Sequence, residues 1–98
     1  GEVCGGVQLH ITERNKIKPL ATTIIMLSSI KKLYPNDFSW RTEAYEFVSD
    51  RLAIDLLYGN PTLREGIEAN NLSIKNLESA WEEDIKAFSP KREACLIY

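Results

Sequence analysis

His10 is the one histidine of the 98-residue chain, so nucleophile–base or metal chemistry has to be assembled around it. It lies in the run Cys4-Gly5-Gly6-Val7-Gln8-Leu9-His10-Ile11-Thr12, where apolar and polar residues alternate. Period-two alternation predicts a strand with Val7, Leu9 and Ile11 on a core and Gln8, His10 and Thr12 on the opposite face. No nucleophile-elbow signature accompanies the histidine. A zinc ion would have to draw on Cys4, Cys95, His10 and carboxylates, and the spacing from Cys4 to His10 matches no ligand motif. No metal and no cofactor are therefore expected. Gly5-Gly6 precedes a strand, whereas a phosphate loop follows one and opens a helix; its expected role is backbone geometry or close approach of another segment.

Most carboxylates fall on solvent faces, but Glu46 and Asp55 stand in apolar surroundings. Glu46 lies between Tyr45 and Phe47, and Asp55 lies inside the run from Ala53 to Leu57. An acid so placed caps a helix, pairs with an arginine (Arg51 or Arg64) or lines a cleft. The structural role is favoured on physical grounds, because an unpaired charge among apolar neighbours is costly. A small hydrolase built on His10, Glu46 and Asp55 is disfavoured, since nothing in the spacing holds the three within mutual reach.

The elements that must position these residues follow from punctuation and periodicity. Pro19 suits the first turn of a helix running to Tyr34, with Leu20, Ile24, Leu27 and Tyr34 on one face and Ile25 off it. Phe38–Arg41 and Tyr45–Val48 alternate and read as short strands. Ala53–Tyr58 is a short apolar run stopped by Gly59, and Asn60-Pro61 opens a helix holding Leu63 and Ile67 that ends at Asn70-Asn71. Ser73 caps a long helix whose expected buried stripe is Ile74, Leu77, Trp81, Ile85 and Phe88, with Leu72 stapling against Leu77. Ser89-Pro90 is expected to stop it, leaving Ala94–Tyr98 as a terminal strand. The expected fold is α+β, a two-layer α/β arrangement. A small mixed sheet holding the N- and C-terminal strands is packed by two long amphipathic helices and two short ones. Cys4 and Cys95 can pair only if those two strands are neighbours; free thiols packed as small hydrophobes are the favoured alternative.

Composition narrows the function classes. A hydrophobic fraction of 44% and a charged fraction of 27% are ordinary for a globular protein. Residues 1–98 are expected to form a single domain, too small for a core plus a deep private active site. The net charge of −2, with basic residues scattered, argues against nucleic acid as a partner. The longest apolar stretch, Leu20–Leu27, is too short to span a bilayer, so no membrane partner is expected. The chain begins with Gly1 and not Met, which suggests a piece of a longer protein.

The blocks CGGVQLHITERNKIKP, LYPNDFSW, YEFV, AIDLLYG, NPTLREGIEAN, SAWEEDIKAF and LIY together resemble one family over essentially all 98 residues. It is the C-terminal domain of the bacterial exo-β-N-acetylmuramidases of NamZ type, long known only as a domain of unknown function. The resemblance implies a parent glycoside hydrolase that removes N-acetylmuramic acid from the non-reducing end of peptidoglycan fragments. It also implies an N-terminal Rossmann-like catalytic domain as partner and an active-site cleft between the two. The family's proposed catalytic glutamate belongs to that other domain, so no catalytic residue carries over. The matching motif positions are Cys4, Gly5, Gly6, Gln8 and His10, then Tyr45 and Glu46, then Asp55 and Gly59. Of these, Gln8, His10, Tyr45, Glu46 and Asp55 are candidates for substrate binding or the interdomain cleft. Cys95 departs from the pattern, standing where an aromatic residue is expected. The implied role is an accessory domain, inactive alone, of a bacterial protein more readily periplasmic or secreted than cytoplasmic, with muramic-acid glycan as a possible partner. The alternative is an independent glycan- or protein-binding module, for which Trp40 with Tyr45 is the candidate aromatic platform.

Overall fold

Proline, asparagine and glycine set the helix boundaries in the computed structural model, which describes residues 1–97. The elements are α1 (Pro19–Leu33), α2 (Ala53–Tyr58), α3 (Thr62–Glu68) and α4 (Ile74–Cys95). Pro19 stands at the start of α1, where its missing N–H costs no helical bond. Gly59 ends α2 in the left-handed region at φ 98°, its N–H donating to the Asp55 carbonyl at 2.9 Å. The Asn60 side-chain oxygen accepts from the Thr62 N–H at 3.0 Å in the turn that enters α3, where Pro61 and not Asn60 takes the N-cap position. Asn70 takes φ 53° at the other end. There Asn70 N–H donates to Ile67 O and Asn71 N–H to Gly66 O, the paired bonds of a Schellman ending. Ser73 Oγ caps α4 by accepting from Asn76 N–H at 3.4 Å.

Helix α3 packs against both α1 and α2. Ile24 of α1 meets Leu63 and Ile67 of α3 at 1–3% exposure, and Ala21 is also buried. Leu27, Trp40, Ile54, Tyr58, Leu72, Ile74, Leu77 and Trp81 close around this cluster. Leu72 lies over Gly66 so closely that a Cβ there would stand 2.7 Å from Leu72 Cδ1. Glycine at that position lets the chain after α3 fold back onto the core.

The expected sheet is absent among the described residues. Residues 1–11 have no regular structure, and Val7, Leu9 and Ile11 are exposed instead of core-facing. The terminal strand fails because α4 runs on through Pro90 to Cys95, taking Ala94 and Cys95 into the helix. Tyr98, the last residue of that expected strand, lies outside the described residues. A strand is stabilised by pairing, not by alternation, and without a C-terminal neighbour the N-terminal segment has no partner. Pro90 is tolerated because it removes one bond on an exposed stretch, while the Ser89 hydroxyl donates to the Ile85 carbonyl at 2.8 Å. Phe38–Arg41 forms no strand either. Tyr45 and Val48 exchange two 3.1 Å bonds across Glu46-Phe47, which makes a tight turn and not an extended element.

The long-helix stripe is therefore half realised. Ile74, Leu77 and Trp81 reach the core, whereas Ile85 and Phe88 are 63% and 60% exposed. Twenty-two residues extend roughly 33 Å, and the distal half overhangs the three shorter helices. The radius of gyration, 16.8 Å against about 13 Å for a compact chain of this length, reflects this overhang and the unpaired N-terminal segment. Cys4 and Cys95 are free and exposed, not packed as small hydrophobes.

Two outcomes follow from this packing. Ile24→Ala should cost about 2–5 kcal/mol in urea unfolding, as for a buried aliphatic truncation. Ile85→Ala should stay within about 0.5 kcal/mol, where a sheet-covered α4 would make the two comparable. At the turn, Glu46 holds φ 54°, a conformation glycine adopts without penalty. Glu46→Gly should leave the melting temperature unchanged or raise it. Glu46→Val should lower stability by about 1–2 kcal/mol, and equal effects of the two would remove the strain argument.

Candidate functional site

The five candidate residues do not converge. Gln8 and His10 lie on the unpaired N-terminal segment, exposed. Tyr45 and Glu46 lie on the exposed tight turn. Asp55 alone is held in a built environment, in the middle of α2. Its two carboxylate oxygens accept from Arg64 Nε at 2.9 and 3.0 Å, with both side chains more than four-fifths buried. The same guanidinium donates through NH1 to Glu68 at 3.2 Å, and Glu68 accepts from Trp40 Nε1 at 2.9 Å. The hydrogen bond to Asp55 raises the Arg64 pKa above its already high ordinary value, so this cation stays charged at every working pH. Of the roles open to Asp55, pairing with Arg64 is realised and helix capping is not.

The network ties α2, α3 and the loop bearing Trp40 together. It also spends the polar capacity of Trp40, whose ring stands edge-on to Phe38 at 4.8 Å and 87°. Trp40 is half-buried against the core and is not an open platform with Tyr45.

Two grooves flank the α2–α3 connection. One, about 470 Å³, is lined by Asp50, Arg51, Leu52, Asp55, Pro61 and Arg64 among others, and is walled by the ion pair just described. The other, about 370 Å³, runs between that connection and α4. It is lined by apolar Leu20, Leu57, Leu77 and Trp81 and by polar Tyr58, Asn60, Thr62 and Asp84. The Trp81 Nε1–H donates to the Tyr58 hydroxyl at 3.0 Å, which holds the two rings in fixed relation. Nearby, Lys18 Nζ and Glu78 Oε1 pair at 2.8 Å and bind the start of α1 to α4. The hydrogen bond to Glu78 raises the Lys18 pKa.

Sequence reasoning singled out Asp55 and offered Arg51 or Arg64 as its partner without choosing between them, and it missed the second groove. Trp81 reads as a core residue by spacing, and only the pairing of its indole N–H with Tyr58 places its edge at a surface. The available signal was the i, i+3 spacing of Trp81 and Asp84 on one helix face. Among the described residues no helix is long and apolar enough to cross a membrane.

The ion-pair network yields its own check. Asp55→Ala should lower the melting temperature by several degrees, because Arg64 is left half-satisfied in a mostly buried position. Glu65→Ala should change it little, since Glu65 is exposed and stands 3.8 Å from Arg64. Equal effects would show that the network is not what ties α2 to α3.

Comparison with known proteins follows from this geometry. The sequence model of the family described as exo-beta-N-acetylmuramidase NamZ, C-terminal, matches residues 1–98. The chain is 37% identical over 98 residues to the peptidoglycan beta-N-acetylmuramidase NamZ of Bacillus subtilis (strain 168). That alignment covers all of this chain and 22% of the relative, so the chain spans less than a quarter of the curated protein it matches. No solved structure matches it.

Proposed function

We propose a function from one premise: the chain belongs to the C-terminal family of the NamZ exo-β-N-acetylmuramidases. It serves as the accessory domain of a longer bacterial, periplasmic or secreted glycoside hydrolase acting on peptidoglycan fragments. It forms one wall of a cleft whose catalytic carboxyl groups lie in the rest of that protein, on a Rossmann-like domain. The observation that carries this reading is the family match over the whole chain, taken with the small share of the relative's length that it covers.

The chemistry of the described residues supports it. Glycosidic hydrolysis in most families uses two carboxyl groups about 5–9.5 Å apart in a site walled from bulk water. Here Asp55 is committed to Arg64, Glu46 sits on an exposed turn and His10 on an unpaired segment. The domain also leaves Val7, Leu9, Ile11, Ile85 and Phe88 uncovered, apolar surface suited to docking on a larger neighbour. On this reading Gln8, His10, Tyr45 and Glu46 face that neighbour or the cleft, and Asp55 braces the wall behind them.

Purified alone, the 98-residue chain should release no sugar from a chromogenic muramic-acid glycoside, whereas the full-length protein should. In the full-length protein His10→Ala should lower kcat/KM while leaving the melting temperature of the isolated domain unchanged. Turnover by the isolated chain that is lost on Glu46→Gln or Asp55→Asn would make it a self-sufficient enzyme. Unaltered full-length kinetics in His10→Ala would remove His10 from the cleft.

A further inference from the structure

We propose that residues 4–11 form a strap that closes along the overhanging half of α4 and is latched there by a disulfide between Cys4 and Cys95. Nothing in this pairing depends on the accessory-domain reading. Both thiols are free and exposed in the structure, one on each of the two parts that leave apolar side chains uncovered. Val7, Leu9 and Ile11 make up one alternating row, and Ile85 and Phe88 make up the other. Cys95 extends the second row. Trp81, Ile85, Phe88 and Cys95 stand four, three and seven positions apart on α4 and so share a face.

The two rows match in register. In an extended chain Val7 and Leu9 lie about 10 and about 17 Å from Cys4. On α4, Phe88 and Ile85 lie about 10 and about 15 Å from Cys95. With Cys4 against Cys95, Val7 therefore falls over Phe88 and Leu9 over Ile85. Ile11, about 23 Å from Cys4, falls near Trp81, about 21 Å from Cys95. There a recess of about 250 Å³ between the start of α1 and α4 is lined by Pro19, Leu20, Ala21 and Trp81 among others, and it can take an aliphatic side chain. The root of the strap is already held at this place, because Lys18 Nζ pairs with Glu78 Oε1 at 2.8 Å. The intervening chain is gathered into a turn by the Lys16 N–H, which donates to the Glu13 carbonyl at 3.1 Å. Cys4 stands on the other face of a regular strand from Val7, and Gly5-Gly6 between them can turn the chain without steric penalty.

Latching exchanges two thiols for one disulfide, and a low-molecular-weight disulfide such as oxidised glutathione is the oxidant. One cysteine thiolate attacks it, forming a mixed disulfide and releasing one small thiol. The second cysteine thiolate attacks the mixed disulfide and releases the other. The two protons and two electrons lost by the chain leave with the oxidant as its two thiols. An open strap, as in the structure, leaves both apolar rows to a neighbour. A closed one covers each row with the other and turns Gln8, His10 and Thr12 outward.

The test is equilibration of the 98-residue chain in mixtures of reduced and oxidised glutathione, read by mass spectrometry, non-reducing electrophoresis and peptide mapping. The expected product is a monomer lighter by two hydrogens, with Cys4 joined to Cys95, and reversed by excess reduced glutathione. Leu9→Asp or Phe88→Asp should shift the equilibrium toward the dithiol by about tenfold, the loss expected when one apolar contact is left uncovered. Gln8→Asp should change it by less than about twofold. All three positions are exposed in the open form, so the circular-dichroism spectrum of each reduced variant should match that of the parent chain. Disulfide-linked dimers in place of the monomer would assign the two rows to a second copy and overturn the strap. Mixed disulfides with glutathione alone, or equal equilibria for Leu9→Asp and Gln8→Asp, would overturn it too. No hydrolysis is read in these equilibrations, so their failure leaves the accessory-domain reading standing, and an inactive full-length protein would leave the strap standing.

Discussion

The seven residues of α3 hold this molecule together, because two adjacent faces of one short helix do different work. Leu63 and Ile67, four apart, close on Ile24 of α1. Arg64 and Glu68, also four apart and one position on, reach Asp55 of α2 and the Trp40 indole. A helix of this length has no stability of its own in water. It exists because Asn60 braces its entry through Thr62, the Schellman turn at Asn70 ends it, and both faces are engaged at once. The apolar contacts supply the driving force, and the guanidinium supplies direction, since its planar fork admits few arrangements of its partners.

The grooves are by-products of the same economy of length. With α2 at six residues and α3 at seven, their connection cannot cover the flank of α4, and a recess remains on each side of Asn60. One recess is walled by the Asp55–Arg64 pair and so is rigid and highly charged. The other is lined by Trp81 and Tyr58 together with apolar and polar neighbours. Asn60 lines both, and its side chain is already ordered by its bond from Thr62. A group that is ordered for a structural reason costs less to use in binding.

A core of few buried side chains goes with many exposed apolar ones. Val7, Leu9 and Ile11 at one end, and Ile85 and Phe88 along α4, are the side chains that an α+β fold would have covered. In the function proposed above this surface docks on the rest of a longer protein, and the relative it matches is more than four times this length. Small size argues the same way, because a short chain buries a smaller fraction of its surface.

Local punctuation was legible in the residues alone. Pro19, Gly59, Asn60, Asn70 and Ser73 mark helix ends through backbone geometry and single hydrogen bonds, effects that act within a few residues and need no tertiary context. The core pair Leu63 and Ile67 was legible because side chains four apart on a helix share a face; the need of Asp55 for a partner was legible too, but the choice of Arg64 over Arg51 was made by the packing of α2 on α3. The family was legible too, because it rests on blocks in order and not on contacts. What the alternation of Val7, Leu9 and Ile11 could not reveal is whether a partner strand exists. Pairing is a long-range event, and it was lost when α4 passed through Pro90 and absorbed Ala94 and Cys95. The groove beside Trp81 was likewise a tertiary decision, since a tryptophan at core spacing shows its edge to solvent only when the helix beside it is too short to cover it.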